Sequence, residues 1–170
     1  MDSNRDRLVL FHADGTLIDA FSAIDTTFSA HGMDIGNLKN FRKRRKLLKY
    51  LGGIEQFPDN MRKQFGKQNR KALRATLTEV HREETLLYPG LADLLKPLIA
   101  VPDLRIGLVT RNVSIEPAVT LEKLFARHDI DINDLNYLAY VPLAERKTTA
   151  FREARARFDS NPARAYTCGD

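Results

Sequence analysis

The chain has 170 residues, a hydrophobic fraction of 43%, a charged fraction of 29% and a net charge of +5 at pH 7. That composition belongs to a globular chain with room for one core and a modest insertion, and it excludes a disordered tail, a collagen-like fibre and a disulfide-stapled miniprotein. One cysteine, Cys168, cannot form an internal bridge, and the apolar run Leu8–Phe11 after the polar start is too brief for a signal peptide or membrane span, so a cytoplasmic location is expected.

Leu8-Val9-Leu10-Phe11 predicts a buried strand that stops at His12-Ala13-Asp14-Gly15-Thr16. Residues 19–86 then read as helices. Phe21, Ile24 and Phe28 share a face after Asp19 as N-cap, with Gly32 as the stop. Phe41, Leu47, Leu48 and Leu51 form a second stripe ended by Gly52-Gly53, and Leu73, Leu77 and Val80 a third. Tyr88-Pro89-Gly90 returns the chain to the sheet. Leu91, Leu94, Leu95 and Leu98 predict the helix that leads into a strand at Arg105–Thr110. Leu121, Leu124, Phe125 and His128 predict one face of a helix opened by Ser114 with Pro117 in its first turn. Tyr137–Val141 is a third strand. Phe151, Ala154, Arg155 and Phe158 make a helical stripe, and Ala165–Cys168 is a fourth strand. Strands alternating with helices imply βαβ units, and therefore an α/β, three-layer, Rossmann-type parallel sheet formed by residues 1–18 and 87–170, with an all-helical insert at 19–86.

The charge is unevenly spread. Residues 37–82 hold fourteen of the 27 basic side chains against three acids, Glu55, Asp59 and Glu79. Within it, Arg42-Lys43-Arg44-Arg45-Lys46-Leu47-Leu48-Lys49 has three readings. It is the solvated face of a helix, a means of drawing in an anionic substrate, or a nucleic-acid surface with Phe41, Tyr50 and Phe65 for stacking. His31, His81 and His128 show no metal-ligand spacing and read as surface or helix-end residues.

In an open parallel sheet, ligands sit beyond the carboxyl ends of the strands. Four polar groups fall at such ends: His12-Ala13-Asp14-Gly15-Thr16, then Thr110-Arg111-Asn112, then Lys147, then Gly169-Asp170. Carboxylates, a hydroxyl and an ammonium make a set suited to a phosphate with a divalent cation. Taken alone, Asp14-Gly15-Thr16 also reads as a plain turn, Thr110 as the end of a strand and Lys147 as a solvated helix start.

In this order the motifs resemble the haloacid dehalogenase (HAD) superfamily. Phe11-His12-Ala13-Asp14-Gly15-Thr16-Leu17-Ile18-Asp19 looks like its first motif, and the helical insert is similar to the C1 cap of phosphoglycolate-phosphatase-like members. The resemblance implies a HAD-like fold and a Mg²⁺-dependent phosphatase of a small phosphorylated metabolite. Its first aspartate attacks phosphorus, and that position is His12 here. Asp14 would be the acid/base and would offer its backbone carbonyl to Mg²⁺. Thr110, Arg111, Asn112, Gly15 and Thr16 would hold phosphate, helped by a helix start near Arg111. Lys147 would neutralise phosphate and nucleophile, and Asp170 would ligate Mg²⁺. Retention of Asp14 favours phosphotransfer over carbon–halogen cleavage. Imidazole is a poor Mg²⁺ ligand, so impaired turnover is expected. The competing reading is a non-catalytic anion- or nucleic-acid-binding protein on the same fold. The family's fourth motif continues as G-D-x-x-x-D into a further strand and helix. The resemblance therefore implies that this chain's fourth strand is an exposed edge: either the chain is a truncated product, or a partner or self-association covers that surface.

Overall fold

The computed structural model describes residues 7–33, 47–53 and 70–169. In chain order the elements are β1 (Arg7–His12), α1 (Ala20–Ala30), α2 (Arg70–Glu83), α3 (Leu91–Ile99), β2 (Leu104–Thr110), α4 (Pro117–Ala126), β3 (Tyr137–Tyr140), α5 (Lys147–Arg157) and β4 (Ala165–Cys168). Short 3₁₀ turns lie at Ile132–Asp134 and Pro162–Arg164, and residues 47–51 are helical. No helix among the described residues is long and apolar enough to cross a membrane.

The contacts divide the chain into two compact units. One comprises Met1–Asp19, Leu87–Asn112 and Phe125–Asp170, and the other Ala20–Leu86 with Val113–Leu124.

The first unit is an α/β fold built on a four-stranded parallel sheet in the order β3-β2-β1-β4. β1 is an inner strand, pairing His12 with Val109 on one side and Phe11 with Cys168 on the other. Strands of a parallel sheet covered on both faces read as continuous apolar runs. Accordingly Leu8, Leu10 and Phe11 are all buried. The core on one face gathers Leu8, Leu10, Val109, Tyr137, Ala150 and Ala154. α5 lies close because its inward residues are alanines, and the buried Tyr137 hydroxyl donates to the Ala150 carbonyl at 3.0 Å. Gly107 is required by the same packing, since a Cβ there would stand 2.5 Å from Leu10 Cδ2 and 3.0 Å from Tyr137 Cβ. Asn136 prepares the β2–β3 pairing: its Oδ1 accepts from Ile106 N and its own N–H donates to Ile106 O, both at 2.8 Å.

Several sequence expectations change here. Leu94 is exposed, and of the four leucines expected on one α3 face only Leu95 is fully buried. Arg155 is exposed, because Ala150 and Ala154 form the inner face of α5. His128 lies past the end of α4, where its ring takes a hydrogen bond from Leu87 N (3.1 Å) instead of continuing the helical stripe. β4 is an edge among the described strands, with Tyr166 exposed.

In the second unit α1 buries Ala20, Ala23, Ile24, Thr27 and Phe28, and the chain turns at Gly32, whose φ of +69° favours glycine. α2 buries Leu73, Leu77, Thr78, Val80 and His81. His81, read as a surface or helix-end residue, does lie in the last turn of α2 but is not at the surface: it faces inward, one residue after Val80 and four after Leu77. His31 Nε2 meets Thr76 Oγ1 at 2.8 Å, joining the end of α1 to α2. Arg74 donates to the carbonyls of Val113 and Ser114, and Arg82 to Thr120 Oγ1 and the Glu116 carboxylate. Thr78 Oγ1 accepts from Ile115 N at 2.7 Å. These bonds explain why 113–124, which the sequence reading left in the core, groups with α1 and α2. They also show that two arginines of the basic block, Arg74 and Arg82, use their side chains to hold the 113–120 segment. Phe41, Phe65 and the run Arg42–Lys46 lie outside the described residues.

Candidate active site at the carboxyl rim of the sheet

β1 and β2 end side by side, so their terminal residues His12 and Thr110 meet the same rim. Beyond His12 the chain folds into a compact turn. The Ala13 carbonyl accepts from the N–H groups of Thr16, Leu17 and Ile18, and Gly15, at φ +80°, donates to the Ile18 carbonyl at 3.0 Å. The Asp-Gly pair serves the turn and at the same time holds Asp14 against the end of β2. Thr110 is fully buried, and its hydroxyl donates to Asp14 Oδ2 at 2.8 Å. The same hydroxyl accepts from Asn112 N at 3.0 Å, while Asn112 Nδ2 reaches Asp14 Oδ1 at 3.4 Å. Both carboxylate oxygens of Asp14 thus accept a donor from the 110–112 segment.

The second half of the site forms around His12, which is 7% exposed. Lys147 opens α5, and its Nζ stands 3.1 Å from His12 Nδ1 although 135 residues separate them in the chain. A lysine ammonium has donors only, so Nδ1 is the acceptor in this bond and the ring proton belongs on Nε2. Phe151, one helical turn after Lys147, stacks on the imidazole with ring centroids 5.4 Å apart and planes 13° from parallel. On another side Gly169 approaches so closely that a Cβ would lie 2.6 Å from His12 Cγ. Arg111 donates to the carbonyl of Glu145, two residues before Lys147, and so fastens the loop that delivers the lysine.

The residues singled out from sequence thus fall into two linked groups in one unit. Asp14, Thr110 and Asn112 are joined directly, and so are His12 and Lys147. Gly15 and Thr16 shape the turn. Asp170 lies outside the described residues. The helix start expected near Arg111 is corrected: α4 begins only at Pro117, and the Asn112 N–H is committed to Thr110. Thr110 itself bonds a carboxylate here. The sequence placed Phe151 on a helical stripe, without its contact with His12. The available signal was its i, i+4 spacing from Lys147 on one helix.

The resemblance places Mg²⁺ at this rim. Among the described residues no three His, Cys, Asp or Glu side chains gather as metal ligands. Mg²⁺ prefers oxygen donors in octahedral array. Position 12 offers a ring nitrogen already bonded to an ammonium, and the Asp14 carboxylate is taken up by two hydrogen-bond donors. Among the described side chains, position 12 and the Asp14 carboxylate therefore do not suit the ion; the other groups that the resemblance names for it are the Asp14 backbone carbonyl and Asp170, which lies outside the described residues.

No family model matches the chain, and no curated protein matches it. Solved structures do. A haloacid dehalogenase-like hydrolase from Streptococcus pneumoniae superposes with a TM-score of 0.63 at 16% identity, covering 99% of this chain and 77% of its own. A HAD-superfamily hydrolase of subfamily IA from Geobacter sulfurreducens gives 0.62 at 16% identity, with 98% and 79% covered. The chain has the HAD-like fold. CbbY from Rhodobacter sphaeroides, solved in complex with phosphate, shares that fold at a TM-score of 0.55 and 22% identity, with 95% of this chain and 76% of CbbY covered. The likeness at these identities is one of architecture; chemistry has to be argued from the side chains.

Proposed function

We propose that this protein is a HAD-type phosphohydrolase by descent that binds a small phosphorylated metabolite at the His12–Thr110–Lys147 rim, with turnover held low by His12. The observation that carries the reading is the Lys147 Nζ–His12 Nδ1 bond at 3.1 Å. In the aspartyl-phosphate route a carboxylate oxygen at position 12 attacks phosphorus. The bond to the leaving oxygen breaks as the second aspartate protonates it, and water then cleaves the acyl phosphate. His12 has no carboxylate, and its one unprotonated nitrogen is held by an ammonium. Asp14 is positioned for the acid/base role, Lys147 and Arg111 supply positive charge, and Thr110 and Asn112 supply donors. The solved structure of CbbY with phosphate supports a phosphate ligand for this architecture. Mg²⁺ dependence belongs, in this reading, to a chain with aspartate at position 12, where an oxygen donor replaces the imidazole.

A panel of phosphomonoesters assayed against the wild-type chain and His12→Asp tests this. Restoring the nucleophile is expected to raise hydrolysis by at least about a hundredfold. A wild-type rate equal to that of the variant refutes the blocking role of His12. Silence in both proteins refutes the phosphohydrolase reading and leaves the competing one, a non-catalytic anion- or nucleic-acid-binding protein. Nucleic-acid affinity that falls steeply with salt would identify the latter.

A further inference from the structure

We infer that a cavity at the end of α5 remote from the rim is a second binding site, which takes the phosphate group of a small phosphomonoester between Arg152 and Arg155. The site is independent of whatever the rim binds.

The cavity holds about 250 Å³ and is lined by Arg152, Arg155, Ala156, Asp159 and Ser160, all of one unit. It is built locally. Arg155 and Ala156 stand three and four residues after Arg152 on α5, so the three share one face of the helix, and alanine leaves room beside the two long side chains. Past the C-cap at Phe158 the chain turns back. Asp159 takes a left-handed φ of +47°, its N–H donates to the Ala156 carbonyl at 3.3 Å, and the Ser160 N–H donates to the Arg155 carbonyl at 3.0 Å. This closing turn brings Asp159 and Ser160 to the cavity wall, and it occupies carbonyls that would otherwise present the negative end of the helix to an anion. Lys147, at the rim, begins α5, so about 15 Å of helix separates the two places.

Side-chain chemistry sets the ligand. Among the described residues, the side chains of Arg152, Arg155 and Asp159 are engaged in no hydrogen bond or ion pair. Ser160 is 6% exposed, and its buried hydroxyl has no hydrogen-bond partner. An unsatisfied buried hydroxyl costs stability that a ligand bonding it returns, and serine needs only a turn between staggered positions to present it. Guanidinium forks hold oxyanions in charge-assisted bonds. Two forks and a hydroxyl outnumber the two oxygens of a carboxylate, whereas a phosphomonoester offers three terminal oxygens. Asp159 repels the oxyanion and accepts from a hydroxyl or ammonium group on the organic part of the same ligand. The volume, about eight times the share of one water in the liquid, leaves room for that part beyond the phosphate.

The test follows the backbone amide signals of the full chain by NMR during titration with inorganic phosphate, which reports the two places separately. Signals of Ala156, Asp159 and Ser160 are expected to shift along one saturable curve. The double variant Arg152→Gln, Arg155→Gln, at exposed helical positions that tolerate glutamine, should raise the dissociation constant of that curve at least about tenfold and leave shifts at Gly15 and Asn112 as in the wild type. Ser160→Ala should raise it about threefold and, without phosphate, be no less stable than the wild type, because the hydroxyl has no bond to lose. Asp159→Asn should tighten inorganic phosphate about twofold and weaken O-phosphoethanolamine, whose ammonium loses its partner. Saturable shifts at 156–160 that persist unchanged in the double arginine variant overturn the inference. Shifts confined to the rim, or none at all up to about 10 mM phosphate, overturn it as well, the former leaving the rim reading intact. Shifts confined to 156–160 and lost in the double variant support the second site and count against the rim.

Discussion

Thr110→Val removes one hydroxyl and keeps the shape of the side chain, so it isolates the bonds that this hydroxyl makes at the rim. Two are lost: the donor to Asp14 Oδ2 at 2.8 Å and the acceptor for Asn112 N at 3.0 Å. A hydrogen bond to a charged group contributes about 1.5–3 kcal/mol and a neutral one about 1 kcal/mol. Asp14 is half-buried, so water recovers part of the loss on its side. The expected net cost is about 2 kcal/mol, which for a chain of this size lowers Tm by about 4–8 °C. Urea unfolding of wild type, Thr110→Val, Asp14→Ala and the double variant measures the pair directly. Coupling of about 1–2 kcal/mol is expected, and Thr110→Ser, which retains the hydroxyl, should lie much closer to wild type. Coupling below about 0.3 kcal/mol would mean that Asp14 is not held by Thr110, and the geometry of the site would have to be redrawn.

Two further outcomes are expected. Gly107→Ala should cost about 1–3 kcal/mol in urea unfolding, because its Cβ overlaps Leu10 Cδ2, and Leu10→Ala in the same chain should recover part of that cost; a neutral single variant would contradict the β2 packing. Burial, followed by the charges of Arg127 and Lys96, holds the His128 ring below its ordinary value of 6.5, against a smaller opposite effect of Asp129. The unfolded chain therefore takes up the proton first, and the stability contributed by the neutral ring is full above pH 6.5 and lost as pH falls through the lower folded value. His128→Gln keeps an acceptor for Leu87 N and should remove this part of the acid slope in unfolding curves recorded between pH 7 and 5; an unchanged slope would show that the ring does not titrate in step with folding.

The rim was legible because a parallel sheet converts sequence position into spatial position. Each apolar run that breaks off at a polar residue delivers that residue to the same edge. His12 and Lys147, or Asp14 and Thr110, could thus be assigned to one place although 135 and 96 residues separate them. Helix stripes were read less well. Leu94 and Arg155 fit a periodic pattern but face solvent, since the width of a buried stripe depends on what packs against it. His81 was misjudged for the opposite reason: a lone polar residue reads as surface until its neighbours on the helix are known to be covered.

Taken by itself, the amino-acid sequence determined the strand runs, the helices between them, the residues stationed at the carboxyl ends and the presence of an imidazole at position 12. These are local properties, written in hydrophobic periodicity and residue chemistry. Only the tertiary structure decided that Lys147 faces Nδ1, that Thr110 donates to Asp14 instead of standing open, and that Phe151 and Gly169 confine the ring. Such facts depend on distances between atoms far apart in the chain, and those distances exist only once packing has chosen one rotamer for each side chain against its neighbours.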